Sequence, residues 1–474
     1  MKIFKYIFCL AFFGCSFIAC DDQLELFPHD ELAVEESFNT VDDFNNAIKG
    51  LYTGFRRSGY YGATSGAASI YFIPDVISDN VIINSNGRRS REAYYDWRYD
   101  EDDSSETFWL SAYKVIQRAN LILSKLENLP ESDVKNNIEG QALAARGIAH
   151  FDMVKFYAPL PAQGADGELG IPYVNSIDAT LKPARNTVAE TYASILSDLN
   201  DATSLIAEDN GRGFINKSVV NALLSRVYLY KGDWAKVIEA ANAVSGVISN
   251  TEEFPEIWKD AYEASVLWKI IVTEPDDVSI GVAWSQELPD GVRSEYNVDK
   301  SLYDLYTDND IRKAAYFETS DFAGVTYNHI IKYKGRASGN ANEVDAKVIR
   351  YAEVLLNKAE AQFETGDESG ALTTLDELRA NRYTEFESAE ETGAALSDAI
   401  ALERRLELAF EGHRFFDLKR KGLPCVRSSF GDAADGTGEK AEFIELPAND
   451  HRWNMAIGTG EINANSNMVQ NPGY

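Results

Sequence analysis

The 474-residue sequence carries its densest set of reactive groups near the C-terminus. There Glu403-Arg404-Arg405, Glu411-Gly412-His413-Arg414 and Asp417 bring carboxylates, guanidinium groups and an imidazole together. Such a set can move protons or ligate a metal. Read as one helix, its charges recur at i+3 and i+4, so Arg414 or His413 pairs with Asp417 along one face. Glu411 and His413 are two apart, point in different directions and do not chelate one ion together. The expectation is structural ion pairing. No Gly-x-Ser-x-Gly, His-Glu-x-x-His or Gly-rich phosphate loop ending in Lys occurs, and the five His lie scattered at 29, 150, 329, 413 and 451. Asp308-Asn309-Asp310 and the stretch from Asp432 to Glu439 are rich in calcium-type ligands, but neither has EF-hand spacing, and both read as solvated turns. The expectation is therefore no catalytic residue, no metal and no cofactor. A surface glycoside hydrolase stays as the alternative of a different class, because carboxylates are abundant and their separation in space is not written in the sequence.

A second kind of chemistry, non-covalent capture, fits the aromatic residues better. A pyranose ring presents a C–H face that an indole or phenol covers, while Asn, Gln and Arg address its hydroxyls. Of the seven Trp, Trp109 and Trp234 fall at core spacing on helices, and Trp258 and Trp268 flank an apolar run; these read as core. Trp97 and Trp284 instead lie in long loops. The first candidate platform is Tyr94-Tyr95-Asp96-Trp97, with Asn84 and Arg91 as hydroxyl-addressing partners. The second is Trp284-Ser285-Gln286 with Tyr296. Packing that anchors the loops is the competing role for these rings. Arg88, Arg89, Arg91 and Arg98 surround the first platform. Facing a ligand they would select carboxylate or sulfate; otherwise they pair with Asp100, Glu101, Asp102 and Asp103.

Helices must position these groups. Thr40-Val41-Asp42-Asp43 caps a helix carrying Phe44, Ala47, Ile48 and Leu51. Phe108 to Leu126 and Gln141 to Tyr157 are two more, the latter stopped by Pro159 and Pro161. Thr187-Val188-Ala189-Glu190 is a capping box opening a helix through Leu205. Ser218 to Tyr230, Lys231-Gly232-Asp233 and Trp234 to Val244 read as helix, tight turn, helix. Tyr351 to Glu364, Thr365-Gly366-Asp367 and Ala371 to Arg379 repeat that grammar. Gly frees the backbone at the first helix's end and Asp can cap the second, so both copies predict tetratricopeptide-like antiparallel pairs. Between them run long irregular stretches at Tyr60–Ser105, Glu274–Asn297 and Ser428–Ala464.

Composition sets the compartment and the partners. A net charge of -30 at pH 7 repels nucleic acid and anionic membrane surfaces. Lys2 and Lys5 followed by an apolar run from Ile7 to Ile18, too short to span a bilayer, read as a secretory signal over residues 1–19. The run ends Phe17-Ile18-Ala19-Cys20 and turns polar at Asp21-Asp22-Gln23, so Cys20 is the expected lipidation site; Cys15 is a rival, and plain secretion the alternative. The remaining cysteines are Cys9 and Cys425, which leaves no disulfide framework in the mature chain.

The chain resembles the SusD/RagB family of nutrient-binding outer-membrane lipoproteins from Cys20 to Tyr474. The resemblance is carried by Arg350-Tyr351-Ala352-Glu353-Val354-Leu355-Leu356 with Ala359-Glu360-Ala361, by Glu403 to Arg420, and by the terminal Gln470-Asn471-Pro472-Gly473-Tyr474. Gly50-Leu51-Tyr52, Ser78-Asp79-Asn80 and Ala144-Ala145-Arg146 fit in the N-terminal half; Pro447-Ala448-Asn449-Asp450 departs conservatively from the family's Pro-x-x-Glu. It implies a mostly α, SusD-like α-superhelical fold with tetratricopeptide-like pairs and long ligand-binding loops, in one body with an N-terminal region over 20–250 and a C-terminal region over 251–474. It also implies a partner, a SusC-like TonB-dependent β-barrel transporter, surface exposure in the outer membrane of a Gram-negative bacterium, and an oligosaccharide ligand. Peptide capture is the alternative within the family. Acidic residues after the lipidated cysteine, here Asp21 and Asp22, look like a surface-export signal, and acyl chains on Cys20 would hold the protein to the membrane.

Overall fold

Local capping chemistry starts the helices where the sequence places it. The computed structural model describes residues 37–57, 59–62, 69–102, 106–337 and 339–474; the signal stretch, Cys20, Asp21 and Asp22 lie outside them. The Thr40 and Asp43 side chains each accept from the other's backbone N–H at the head of α1 (Val41–Phe55). Thr187 and Glu190 do the same for α4 (Val188–Leu205). Between them run α2 (Glu106–Lys125) and α3 (Asp133–Tyr157). The latter starts eight residues before the predicted Gln141, because Ser132 caps it by accepting from Lys135 N.

The two predicted helix pairs form as α5 (Lys217–Lys231) with α6 (Trp234–Asn242), and α7 (Tyr351–Glu364) with α8 (Glu368–Arg379). Gly232 and Gly366 take left-handed φ values of 73° and 84° at the turns, which a Cβ would strain. Asp367 caps α8 through Gly370 N, whereas Asp233 makes no such bond. The helices stack in chain order, α2 on α3, α3 on α4, α4 on α5, and α6 on α7, with α9 (Gly393–Glu407) completing the far end against α7 and α8. One apolar core runs from Phe38 to Met468, and a second lies among α7, α8 and α9 around Leu355, Leu375, Leu396 and Ile400. Among the described residues no helix is long and apolar enough to cross a membrane.

The C-terminal charged motif is not one helix. After α9 the chain turns through Phe410 and Gly412, with φ of 66° and 80°, and restarts as α10 (Arg414–Arg420). Buried Asp75 holds this turn by accepting from Phe410 N at 3.0 Å and Gly412 N at 2.7 Å, and burial pushes its carboxyl up to about 6. Arg414 therefore pairs with Asp79, not Asp417, while Asp417 takes Arg404 and Arg420. The ion-pairing role stands and its partners change.

Strands went unread in the loops. β1 (Val81–Ile83), β5 (Tyr296–Val298), β7 (Val325–Ile330) and β6 (Phe317–Phe322) form one antiparallel sheet in that order. The expected irregular stretch Glu274–Asn297 also holds the hairpin β3 (Gln286–Leu288) and β4 (Gly291–Arg293), closed by Pro289 and Asp290. β2 (Val266–Ile270) pairs with β8 (Ala346–Arg350), which feeds α7. Runs of three residues are too short to display alternation.

Candidate functional site

The sheet brings the two aromatic loops together. β1 pairs with β5 so that Ile83 faces Tyr296, and the Tyr95 and Tyr296 rings lie 5.9 Å apart although two hundred residues separate them in sequence. The rings themselves, however, are not a ligand platform. Trp97 and Trp284 are each 1% exposed, and Tyr94 and Tyr296 are equally enclosed. Trp97 donates its indole N–H to Ile77 O, and the Arg427 guanidinium lies 3.9 Å from its ring and 3.7 Å from that of Tyr95. Trp284 packs on Phe72 and Phe410, and Tyr296 on Phe72 with its hydroxyl donating to Ser90 O. Large apolar rings gain more from burial than a lone loop can offer in water. These four residues anchor the loops, and the stacking role expected of them is corrected accordingly.

The polar candidates fare differently. Asn84 is also buried: its amide donates to Asn297 Oδ1 and its oxygen accepts from Asn86 N, so it shapes the loop from beneath. Gln286 is half-buried and accepts from Arg293. Arg91 is half-buried, its guanidinium 5.9 Å from the Tyr94 ring.

One face of the sheet is polar, and this is what sequence reading missed. By register, Asn297, His329 and Glu318 sit side by side, with Tyr327 and Ser320 in the next row. His329 Nδ1 lies 2.7 Å from Ser294 Oγ, and burial lowers the imidazole's pKa. The Tyr327 hydroxyl accepts from Asn86 Nδ2 at 2.7 Å and meets Ser85 Oγ at 3.3 Å. Ser85 N donates to Asp432 and Asn297 Nδ2 to Asp432 O, so the 432–439 loop closes one side. Asp432 also accepts from Glu439 N, and Asp435 from Thr437; these carboxylates shape a turn. Asp308 and Asp310 are taken by Lys313 and Arg312. Ser85, Asn86 and Arg88 reach solvent at the rim, and Arg89 does so partly.

Three of the cluster's four arginines are paired with carboxylates other than the expected ones, of which Asp103 lies outside the described residues. Arg88 binds Glu295 through Nε and Nη2, Arg89 bridges Glu92 and Glu439, and Arg98 takes Asp96. Next to this face a cavity of about 570 Å³ opens between the β3–β4 hairpin and the chain near Pro255, with Trp258, Ala315, Ile331, Glu287 and Lys334 among its walls. Lys334 joins Glu287 to Glu318 of the sheet, and the Trp258 indole N–H has no hydrogen-bond partner among the described residues. Trp258 was read as core, which its burial bears out; nothing in its spacing signals that it also lines a cavity.

Stacked antiparallel helix pairs presenting loops over a small mixed-origin sheet define a mostly helical architecture, and comparison with known proteins identifies it. Residues 272–474 match the model of the SusD family, and residues 30–229 match a model described as starch-binding, associating with the outer membrane. A solved Bacteroides vulgatus protein, named as a candidate sugar-binding protein, is 30% identical with a TM-score of 0.82, covering 92% of this chain and 99% of that one. A SusD superfamily protein of Bacteroides thetaiotaomicron is 26% identical with a TM-score of 0.80, covering 91% and 100%. The SusD-like protein P2 of Formosa agariphila is 26% identical over 100% of this chain and 99% of its own. The chain belongs to the SusD family.

Proposed function

We propose that this protein captures oligosaccharide at the cell surface and passes it to a SusC-like TonB-dependent β-barrel transporter, tethered to the outer membrane by acylated Cys20. Residues 20–250 and 251–474 act as two regions of one capturing body. Capture is non-covalent, with no catalytic step. One observation carries the reading: in a chain of this family, loops from opposite ends of the sequence meet over a sheet whose face is lined with Asn, Ser, Tyr and His. Asn297, Tyr327 and His329 lie buried within that face and hold its rim, where the exposed Ser85, Asn86 and Arg88 offer the donors and acceptors that sugar hydroxyls take. The names of the relatives, sugar-binding in one case and starch-binding in another, support the same ligand class. Titration calorimetry of residues 21–474 against a panel of oligosaccharides tests capture, with reducing ends followed over hours in the same samples. Saturable heat without new reducing ends is expected; release of reducing ends would mark a hydrolase, and heat only with peptides would move the ligand class. Cys20→Ala is expected to release the protein from the membrane fraction.

A further inference from the structure

The loops around the polar face carry four arginines in eleven residues of chain, on a protein of net charge -30. Four carboxylates meet them. Glu295, only 2% exposed, accepts from Arg88 Nε and Nη2 and from Ser90 N at 2.9 Å. Glu92 and Glu439 each take one nitrogen of Arg89, at 2.7 and 2.9 Å. Asp96 takes Nε and Nη2 of Arg98. Arg91 and Arg293 have no carboxylate in an ion pair among the described residues. Asp321 and Asp435, bonded to Thr326 and Thr437, have no cation in one. Asp432, which accepts from Ser85 N and Glu439 N, has no cation in an ion pair among the described residues either, so carboxylates at least balance the guanidinium groups around the face.

We infer that this face selects uncharged glycans, and that Glu295 and Glu439 set the selection by holding Arg88 and Arg89 as closed ion pairs. The inference rests on the reading that the face binds sugar. Its physics is an exchange. A uronate or sulfate arriving at Arg88 must displace a carboxylate that already occupies the guanidinium edge, so it trades one charge-assisted bond for another. It also leaves Glu295 buried without its partner, and it approaches against the field of a strongly acidic protein. A neutral sugar breaks no pair, because Arg88 Nη1 is not committed to Glu295 and can still donate to a hydroxyl. Arg88, Arg89 and Arg98, which look like part of an acidic-ligand site in sequence, are thus neutralised by partners up to 350 residues away.

Glu295→Gln keeps the side chain's volume and its acceptor for Ser90 N while freeing the half-exposed Arg88. Glu439→Gln frees only Arg89 Nη1, since Glu92 still holds Nη2, but it does so at an exposed position where folding is not at stake. Each protein is titrated with tetragalacturonate and with a panel of neutral gluco-, manno- and xylo-oligosaccharides at 50 and 500 mM NaCl, with melting curves to verify folding. The wild type is expected to bind a neutral member with less than twofold salt dependence and to ignore tetragalacturonate. Glu295→Gln is expected to gain at least fivefold in galacturonate affinity at 50 mM salt and Glu439→Gln, whose Arg89 stays paired with Glu92, a smaller gain, and both are expected to lose it at 500 mM. Wild-type binding of galacturonate above every neutral sugar would overturn the inference and leave the sugar-binding reading intact. Neutral binding with no gain in either folded variant would overturn the role of the two glutamates. No binding of any sugar would overturn the function proposed for the face.

Discussion

Replacing Glu407 by Gln tests the buried charge network that the C-terminal motif builds. Glu407 is fully enclosed. Its Oε1 accepts from Arg350 at 2.7 Å and Arg382 at 3.0 Å, and its Oε2 accepts from Arg382 at 2.8 Å and Arg312 at 3.5 Å. Around it Arg312, Arg350, Arg382 and Lys332 face Asp310, Glu403, Glu407 and Glu411, four charges of each sign. The substitution keeps the volume, so no cavity forms, but it leaves three guanidinium groups around a neutral amide whose NH2 can only oppose another donor. Breaking a buried pair from one side costs about 3–5 kcal/mol. Unfolding entropy of about 2.1 cal/mol/K per residue over roughly 450 residues makes 1 kcal/mol worth about 1 °C, so Tm should fall by about 3–5 °C. Glu208→Gln, which breaks an exposed pair with Lys217, should move Tm by less than about 1 °C. Differential scanning calorimetry at pH 7 reads both. If the two variants melt together, the network adds nothing that a surface pair does not, and the reasoning fails.

Other perturbations have equally definite outcomes. Burial alone would raise the carboxyls of Glu353 and Glu360, but Arg226 and Arg420 outweigh it and hold both near 2. Their stabilisation is present above the ordinary carboxylate range and is lost as pH falls from about 4.5 towards 2, up to about 3 kcal/mol each. Burial pushes His150 down to about 3 and His413 to about 4, so protonation of the unfolded chain starts the decline already below about 6.5. Tm should thus fall monotonically below pH 4 in an acid series, because the two Glu and two His losses outweigh the opposing slope of Asp75, raised to about 6, which fades below its ordinary 3.8; a flat profile there would contradict the pairing. Trp97→Phe loses the bond to Ile77 O and part of the stack on Arg427, and should lower Tm by about 2 °C without changing sugar affinity in calorimetry. Lost affinity at unchanged Tm would restore Trp97 as a ligand platform. Tyr327→Phe removes the acceptor that pins Asn86, and should weaken oligosaccharide binding about three- to tenfold while Tm moves by less than about 2 °C.

What the sequence determined by itself is what neighbours along the chain decide. Capping boxes at Thr40 and Thr187, the Gly-Asp turns at 232–233 and 366–367, and helix-period apolar faces placed the helices to within a few residues, because each rests on bonds spanning three or four positions. Two exceptions stand: α3, which Ser132 starts eight residues before Gln141, and the motif from Glu403 to Arg420, expected as one helix and broken by Asp75, more than 330 residues away. The same distance explains the rest. Trp97 and Tyr95 looked like free platforms until Arg427 filled the space between their rings, and Arg88 looked like an anion trap until Glu295 closed on it. A ring or a guanidinium group carries no mark of whether solvent, ligand or protein will cover it. Only the tertiary fold decides that, because burial and ion pairing depend on which distant segments the sheet and helix stack bring within reach.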